Sequence, residues 1–363
     1  MEGVPENYKR GEEPMKVLLM RKPGDVKVTE IPTPVLRDNE VLIRIKAAGI
    51  CTNDVRDFKG DCSYSYPRIG GHEYAGVIEA MGEGVDRERF HEGQKVVSYI
   101  INADHNCPLC RRGYENICFH HQKSTIFTNP HGISGYGGFG EFVVAKEQDL
   151  MPYADNVPFE KMAFTEPLAC VINSVNRTNI ELGDDVVVIG GGTMGLLHVM
   201  VAKLRGARVI VSEPLEERRQ KAQQLGADDV IDPIHTDAVK EVMRMTDDQG
   251  AVAVFNTTAS PRLMAQAMEM TAACGTAVAF SSMHPNDPVP MDCGAIHSLQ
   301  KTLTGAVSPS IKAFYQSTLL IGKGILDPTV LTQDIYDYTE FDQAMACAIR
   351  PDTYKVIIKF GEI

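Results

Sequence analysis

Near the middle of the chain four β-branched residues stand together, Val186, Val187, Val188 and Ile189. An unbroken apolar run of this kind, closed by glycine, predicts a strand buried on both faces of a parallel sheet. Leu196, Leu197, Val199, Met200, Val201 and Leu204 then fall within a predicted helix over Leu196–Arg205, and Ala207–Ser212 reads as a second short strand. Ala251–Phe255 and Ala277–Phe280 predict two more parallel strands, with a helix over Pro261–Ala273 between them. Upstream the rhythm is different. Val41, Ile43 and Ile45 alternate through Glu40–Ala47, the period of a half-buried strand. Met15–Met20 and Val26–Ile31 flank Pro23-Gly24-Asp25 as paired strands, and Glu141–Val144 is strand-like. The pattern predicts an antiparallel β-rich region first. From about Pro158 a helix-rich α/β region follows, entered by a helix over Lys161–Arg177 that carries Glu166 and Cys170.

The first parallel strand runs into Gly190-Gly191-Gly192-Thr193-Met194-Gly195. Gly190 allows a tight turn, Gly192 lets backbone approach a pyrophosphate, and Gly195 lets the next helix pack closely on the strand. The second strand ends on Glu213, 18 residues past the last glycine, close to where a carboxylate accepts hydrogen bonds from a ribose. Strand, glycines, helix, strand and acid in this order predict a dinucleotide site that includes Thr193 and Met194. Glu213 favours NAD over NADP, because a 2′-phosphate would face a carboxylate, while Arg218 and Arg219 lie near enough to soften that preference.

At 363 residues the chain has room for two domains. A net charge of −12 opposes binding to nucleic acid or to an anionic membrane, and no apolar run approaches the length of a membrane helix. Met1–Pro14 mixes Glu2, Glu6, Glu12 and Glu13 with Lys9 and Arg10, which predicts a solvated extension on a cytoplasmic protein. The nine cysteines are an odd number, and three crowd into Cys107–Cys118, a clustering that points to metal rather than disulfides.

Two further segments carry chemistry. Gly49-Ile50-Cys51-Thr52-Asn53-Asp54-Val55 follows the alternating strand, and Gly70-Gly71-His72-Glu73-Tyr74-Ala75-Gly76 comes 21 residues later. Thiolate, imidazole and carboxylate together suit zinc. These two segments, the cysteine cluster and Thr165-Glu166-Pro167-Leu168-Ala169 ahead of the glycine fingerprint resemble the zinc-dependent medium-chain dehydrogenase/reductase family, within it the sorbitol (polyol) dehydrogenase-like branch. The resemblance runs from Met15 to Phe360.

The resemblance implies a GroES-like β-rich catalytic domain over 1–160, completed by 302–363 with a last strand at Tyr354–Phe360. It implies a six-stranded Rossmann domain over 161–301, a doubly wound parallel sheet, with the active site in the cleft between the domains. It implies a catalytic zinc surrounded by Cys51, His72 and Glu166, with Glu73 ligating directly or standing behind, and Asp54 holding the ring of His72. The family's structural zinc lobe reads C-x2-C-x2-C-x7-C. Here Cys107, Cys110 and Cys118 fill the last three places and Asp104 the first, the alternatives being that His105 substitutes for it or that the lobe is metal-free. An Asp oxygen is a reasonable zinc ligand.

The implied reaction is reversible hydride transfer between a small-molecule secondary alcohol (a polyol, sugar or sugar phosphate) and NAD, with zinc as Lewis acid, in a homodimer or homotetramer. One departure bears on the proton relay. Asn53 stands where the family has Ser or Thr, leaving Thr52, Glu73 or a water chain as relay. Arg56 stands where the branch often has His, and favours a polyhydroxylated or anionic substrate unless it is a salt-bridged surface residue. The Thr125–Gly140 loop, with His131 and Tyr136, borders the site or is plain surface. An amino-alcohol dehydrogenase of the threonine type is the same-fold alternative, and a non-catalytic nucleotide-binding protein the remaining one.

Overall fold

A computed structural model describes residues 14–120 and 133–361. The expected N-terminal extension, except Pro14, and His131 and Gly132 of the glycine-rich loop lie outside the described residues.

β1 (Pro14–Lys22) and β2 (Asp25–Pro32) form the expected hairpin, with Leu18 opposite Val28. β3 (Glu40–Ile50) runs three residues past the expected strand end, and the chain turns at Cys51 into the helix Thr52–Lys59. β4 (Glu73–Met81), β5 (Lys95–Ser98), β6 (Phe142–Lys146) and β7 (Leu150–Pro152) follow. The expected single helix over Lys161–Arg177 is two helices, Phe159–Met162 and Thr165–Val175.

The parallel strands come next: β8 (Asp185–Ile189), β9 (Arg208–Ser212), β10 (Asp229–Ile231), β11 (Ala251–Asn256), β12 (Thr271–Ala279) and β13 (Thr302–Gly305). They make a six-stranded, all-parallel sheet in the order β10-β9-β8-β11-β12-β13. The order reverses direction beside β8, the topological switch point at which doubly wound sheets bind nucleotides. Val187, Ile189, Ile210 and Val254 share a core cluster with Val242 of the helix Ala238–Met245 and with Met264 and Ala267 of the helix Pro261–Met270. Burying each larger aliphatic side chain contributes about 1.5–3 kcal/mol, which is why continuous Val/Ile runs were the strongest strand signals.

β14 (Thr332–Asp337) and β15 (Lys355–Lys359) close the first sheet, whose order is β14-β15-β3-β4-β5-β7 with β6 also on β3. β15 lies antiparallel to β3, with Val356 opposite Ile50.

The chain divides into two compact units. One holds the residues up to Glu166 and from Phe314 onward, the other Pro167–Ala313. Both limits lie later than the expected 160/161 and 301/302. β13 pairs in register with β12, Thr302 opposite Thr276, so this segment stays with the parallel sheet and the return comes only at Phe314.

Candidate metal centres and dinucleotide site

Cys51 takes extended backbone as the cap of the helix Thr52–Lys59. Asp54, one turn on, accepts the Cys51 N–H at Oδ2 (3.0 Å) and the Gly71 N–H at Oδ1 (3.2 Å). One buried carboxylate thus ties the segment bearing Cys51 to the segment bearing His72. Its Oδ2 is 3.9 Å from His72 Nδ1, so it acts on the ring through charge rather than through a hydrogen bond. His72 Nδ1 is buried without a hydrogen-bond partner, and the ring of Tyr136 lies 5.3 Å from the imidazole.

Donor atoms of Cys51, His72 and Glu73 all lie within 4.8 Å of one another. Glu166 is outside that cluster. It sits buried in the first turn of Thr165–Val175, whose Thr165 carbonyl accepts the Ser317 hydroxyl at 2.8 Å. Its charge nevertheless reaches the cluster. Burial alone would lower the His72 imidazole, but Cys51, Asp54 and Glu166 outweigh it and hold the ring well above its ordinary value. Burial lifts the Cys51 thiol, and His72 pulls it back. A half-buried thiol beside an orphaned imidazole nitrogen and carboxylates is the donor set that a zinc ion satisfies.

Glu73 is held from a direction the motif did not announce. Lys355 Nζ donates to Glu73 Oε2 (2.5 Å), to Oε1 (2.8 Å) and to the Ile50 carbonyl (3.2 Å). The only forewarning was a lysine directly ahead of the apolar run Val356-Ile357-Ile358. Asn53 and the Tyr64 hydroxyl are 3.3 Å apart, and the Arg68 guanidinium lies 3.9 Å over the Tyr64 ring. Thr52 is exposed and Arg56 half-buried.

The second cluster is compact. Donor atoms of Asp104, Cys107, Cys110 and Cys118 lie within 4.8 Å of one another. The sulfurs of Cys107 and Cys110 are 3.5 Å apart, those of Cys107 and Cys118 3.9 Å, and all three thiols are free. Asp104 Oδ1 accepts the N–H groups of Asn106 and Cys107, both at 2.9 Å, and these hold its carboxyl well below the usual carboxylate range. Burial and the neighbouring Cys118, Cys107 and Asp104 push Cys110 up to about 12, while backbone donors lower Cys107. Crowded thiols that resist joint ionisation are a donor set that a divalent cation suits. Asp104 rather than His105 joins the cluster.

In the parallel-sheet unit, Gly190 has φ +104°, and a Cβ on Gly195 would sit 1.9 Å from the Gly190 carbonyl oxygen. Gly192 caps the helix Thr193–Leu204, and a Cβ there would meet nothing closer than Arg218 Nη1 at 3.7 Å, so the N–H groups at Thr193 and Met194 open on an uncrowded backbone. Buried Glu213 accepts the Gly191 N–H at Oε2 (2.6 Å) and the Leu215 N–H at Oε1 (2.9 Å), so it shapes the glycine turn and keeps lone pairs for a ribose. Arg219 turns inward to the carbonyls of Glu213 (2.8 Å) and Pro214 (2.7 Å) and to Asp232 (3.2 Å).

A switch-point glycine turn in one unit and a Cys/His/Glu cluster in the other define a zinc-dependent dinucleotide dehydrogenase. Residues 37–155 match the alcohol dehydrogenase GroES-like domain and residues 193–321 the zinc-binding dehydrogenase domain. The chain belongs to this family of oxidoreductases acting on CH–OH donors. It is 30% identical to the L-threonine 3-dehydrogenase of Pyrococcus horikoshii, covering 95% of this chain and 98% of that one. It is 26% identical to the sorbitol dehydrogenase of Bacillus subtilis over 96% and 95%. The crystal structure of 2R,3R-butanediol dehydrogenase from Bacillus subtilis superposes with a TM-score of 0.85 at 25% identity, covering 96% of this chain and all of that one.

Proposed function

We propose that the chain catalyses the reversible, NAD-dependent oxidation of a secondary alcohol bearing further polar groups, of the polyol, sugar or sugar phosphate kind. The Cys51–His72–Glu73 cluster with its orphaned imidazole nitrogen carries this reading. Cys51, His72 and Glu73, with Glu166 nearby, would hold a catalytic zinc, and Asp104, Cys107, Cys110 and Cys118 a structural one. When bound, zinc supplies Lewis acidity towards an alcohol oxygen, and NAD the hydride acceptor.

The protein's own groups do the positioning. Asp54 keeps the Cys51 and His72 segments in register and places negative charge beside the ring. Asn53, whose amide is a poor proton acceptor, orients a substrate hydroxyl or a water. Gly190, Gly192, Thr193, Met194 and Gly195 present backbone to the pyrophosphate, Glu213 faces the ribose, and Arg218 stands beside Gly192.

An amino-alcohol substrate is the second reading, supported by the near full-length likeness to L-threonine 3-dehydrogenase. The proposed setting is the cytoplasm, as a homodimer or homotetramer. Among the described residues no helix is long and apolar enough to cross a membrane.

Metal content per chain on wild type, Cys51→Ala and Asp104→Ala, followed by NAD reduction with a polyol panel and with L-threonine, tests the whole reading. Two zincs, with a different one lost in each variant, are expected, together with turnover of one substrate group. Zinc-free wild type, or no NAD reduction by any alcohol, overturns it.

A further inference from the structure

Asn53 and Asp57 stand one turn apart on the helix Thr52–Lys59, so their side chains leave the same face. Asp57 gathers the segment that follows the helix. Its Oδ1 accepts the Tyr66 hydroxyl at 2.7 Å, and its Oδ2 lies 2.8 Å from Arg68 Nε. The Arg68 and Asp57 side chains are only 6% and 3% exposed, and backbone bonds of 2.9 Å in both directions tie Arg68 to Met20. The ring of Tyr64 rests on this closed ion pair, its centre 3.9 Å from the guanidinium carbon. The Tyr64 hydroxyl thereby arrives 3.3 Å from both the oxygen and the nitrogen of the Asn53 amide. Both contacts are longer than the usual optimum, so amide and phenol each keep hydrogen-bonding capacity for a third group. Tyr64 is exposed whereas its supports are buried. The pair also borders the metal cluster. Asn53 follows Cys51 by two residues, in the first turn of the helix. Burial lifts the Tyr136 hydroxyl, and His72, Tyr64, Glu166 and Arg68 all act on it, so Tyr136 lies within electrostatic reach of cluster and pair alike.

We propose that Asn53 and Tyr64 form a subsite for a second hydroxyl of the substrate, next to the carbon that is oxidised, and that Asp57 and Arg68 are positioning residues that hold the Tyr64 ring there. An amide and a phenol together donate to and accept from one hydroxyl at once. The cation beneath the ring fixes a loop side chain that would otherwise be free to rotate, and a subsite ordered in advance loses less on binding. A substrate without the second hydroxyl covers the pair and leaves it without a partner. This deepens the proposed function and rests on an alcohol being held at the Cys51 cluster.

The test uses the zinc-loaded full chain with butane-2,3-diol and butan-2-ol, which differ only in the neighbouring hydroxyl. Two quantities are measured for each: kcat/KM for NAD reduction, and the dissociation constant from the non-reacting complex with NADH, by calorimetry. Wild type is expected to favour the diol about tenfold or more in both, the size of one or two hydrogen bonds lost. Tyr64→Phe keeps the ring and removes the hydroxyl, and should lower the diol-to-monoalcohol ratio severalfold. Arg68→Met should lower the same ratio from beneath the ring. General loosening of the fold weakens both alcohols together and leaves the ratio alone. Equal preference in wild type, or a ratio that Tyr64→Phe leaves unchanged, overturns the subsite. An unchanged ratio in Arg68→Met overturns the positioning role. If that variant does not fold, Asp57→Asn, which keeps the shape and removes the charge that holds the guanidinium, decides in its place. Wild type that binds neither alcohol also overturns the subsite, and failure to reduce NAD with every alcohol tried overturns the dehydrogenase reading as well.

Discussion

Acidification should destabilise the parallel-sheet unit through one buried histidine. His198 lies fully buried in the helix Thr193–Leu204, its ring 4.8 Å from that of Phe255 and 4.7 Å from that of Phe280. Nδ1 faces the Met194 carbonyl at 2.8 Å, which assigns it the proton, and Nε2 accepts the Ser174 hydroxyl at 3.0 Å. A second proton, on Nε2, would face only the neutral Ser174 hydroxyl. Burial therefore lowers the group from 6.5 to about 4. The unfolded chain binds this proton below about 6.5 and the native state only below about 4. Stability is thus complete above 6.5 and falls as the pH drops from 6.5 to 4. At 1.36 kcal/mol per pH unit the loss is about 3 kcal/mol. Urea unfolding between pH 7 and 4, followed by far-UV circular dichroism, should show this loss in wild type. It should be absent from the pH slope of His198→Gln, although that variant starts lower. Parallel slopes for the two proteins would falsify the assignment of a neutral His198.

Two further outcomes follow from close contacts. Gly195→Ala drives a methyl group into the Gly190 carbonyl, so NADH affinity measured by fluorescence titration should fall by an order of magnitude or more while the zinc content stays unchanged. Asp54→Asn keeps the side-chain shape but removes the charge beside His72 and one backbone acceptor, so zinc competition with a chromogenic chelator should show about 10–100-fold weaker binding at the Cys51 site.

What was legible in the sequence was what a few neighbouring residues decide together. The turn at Gly190–Gly195, the Cys107–Cys110–Cys118 spacing and the β8 and β11 apolar runs depend on local backbone sterics and local burial. Strand partners that lie far apart in the chain left little trace. Lys355 was legible only as a residue of the last strand, because its meeting with Glu73 exists only once β15, β3 and β4 share a register. The late return at Phe314 was hidden in the same way. Thr302–Gly305 is short and mostly exposed, and its membership of the parallel sheet comes from pairing with β12 rather than from its own pattern. Spacing put Glu213 at the end of the second strand, but its bonds to Gly191 and Leu215 depend on a turn that no periodicity encodes.

The division at Glu166 and Phe314 also imposes an order of events on a ribosome. The dinucleotide-binding unit is one uninterrupted stretch, so its sheet can begin to form as soon as β13 has emerged. The sheet that bears Cys51 and His72 must wait for β15, and the Lys355–Ile50 contact closes a loop of 305 residues. Long-range pairings of this kind form late, because the entropy of closing the loop comes before any reward from the contact. During synthesis Glu73 is therefore made long before the lysine that pairs with it, so the carboxylate passes that interval solvated rather than closed in an ion pair.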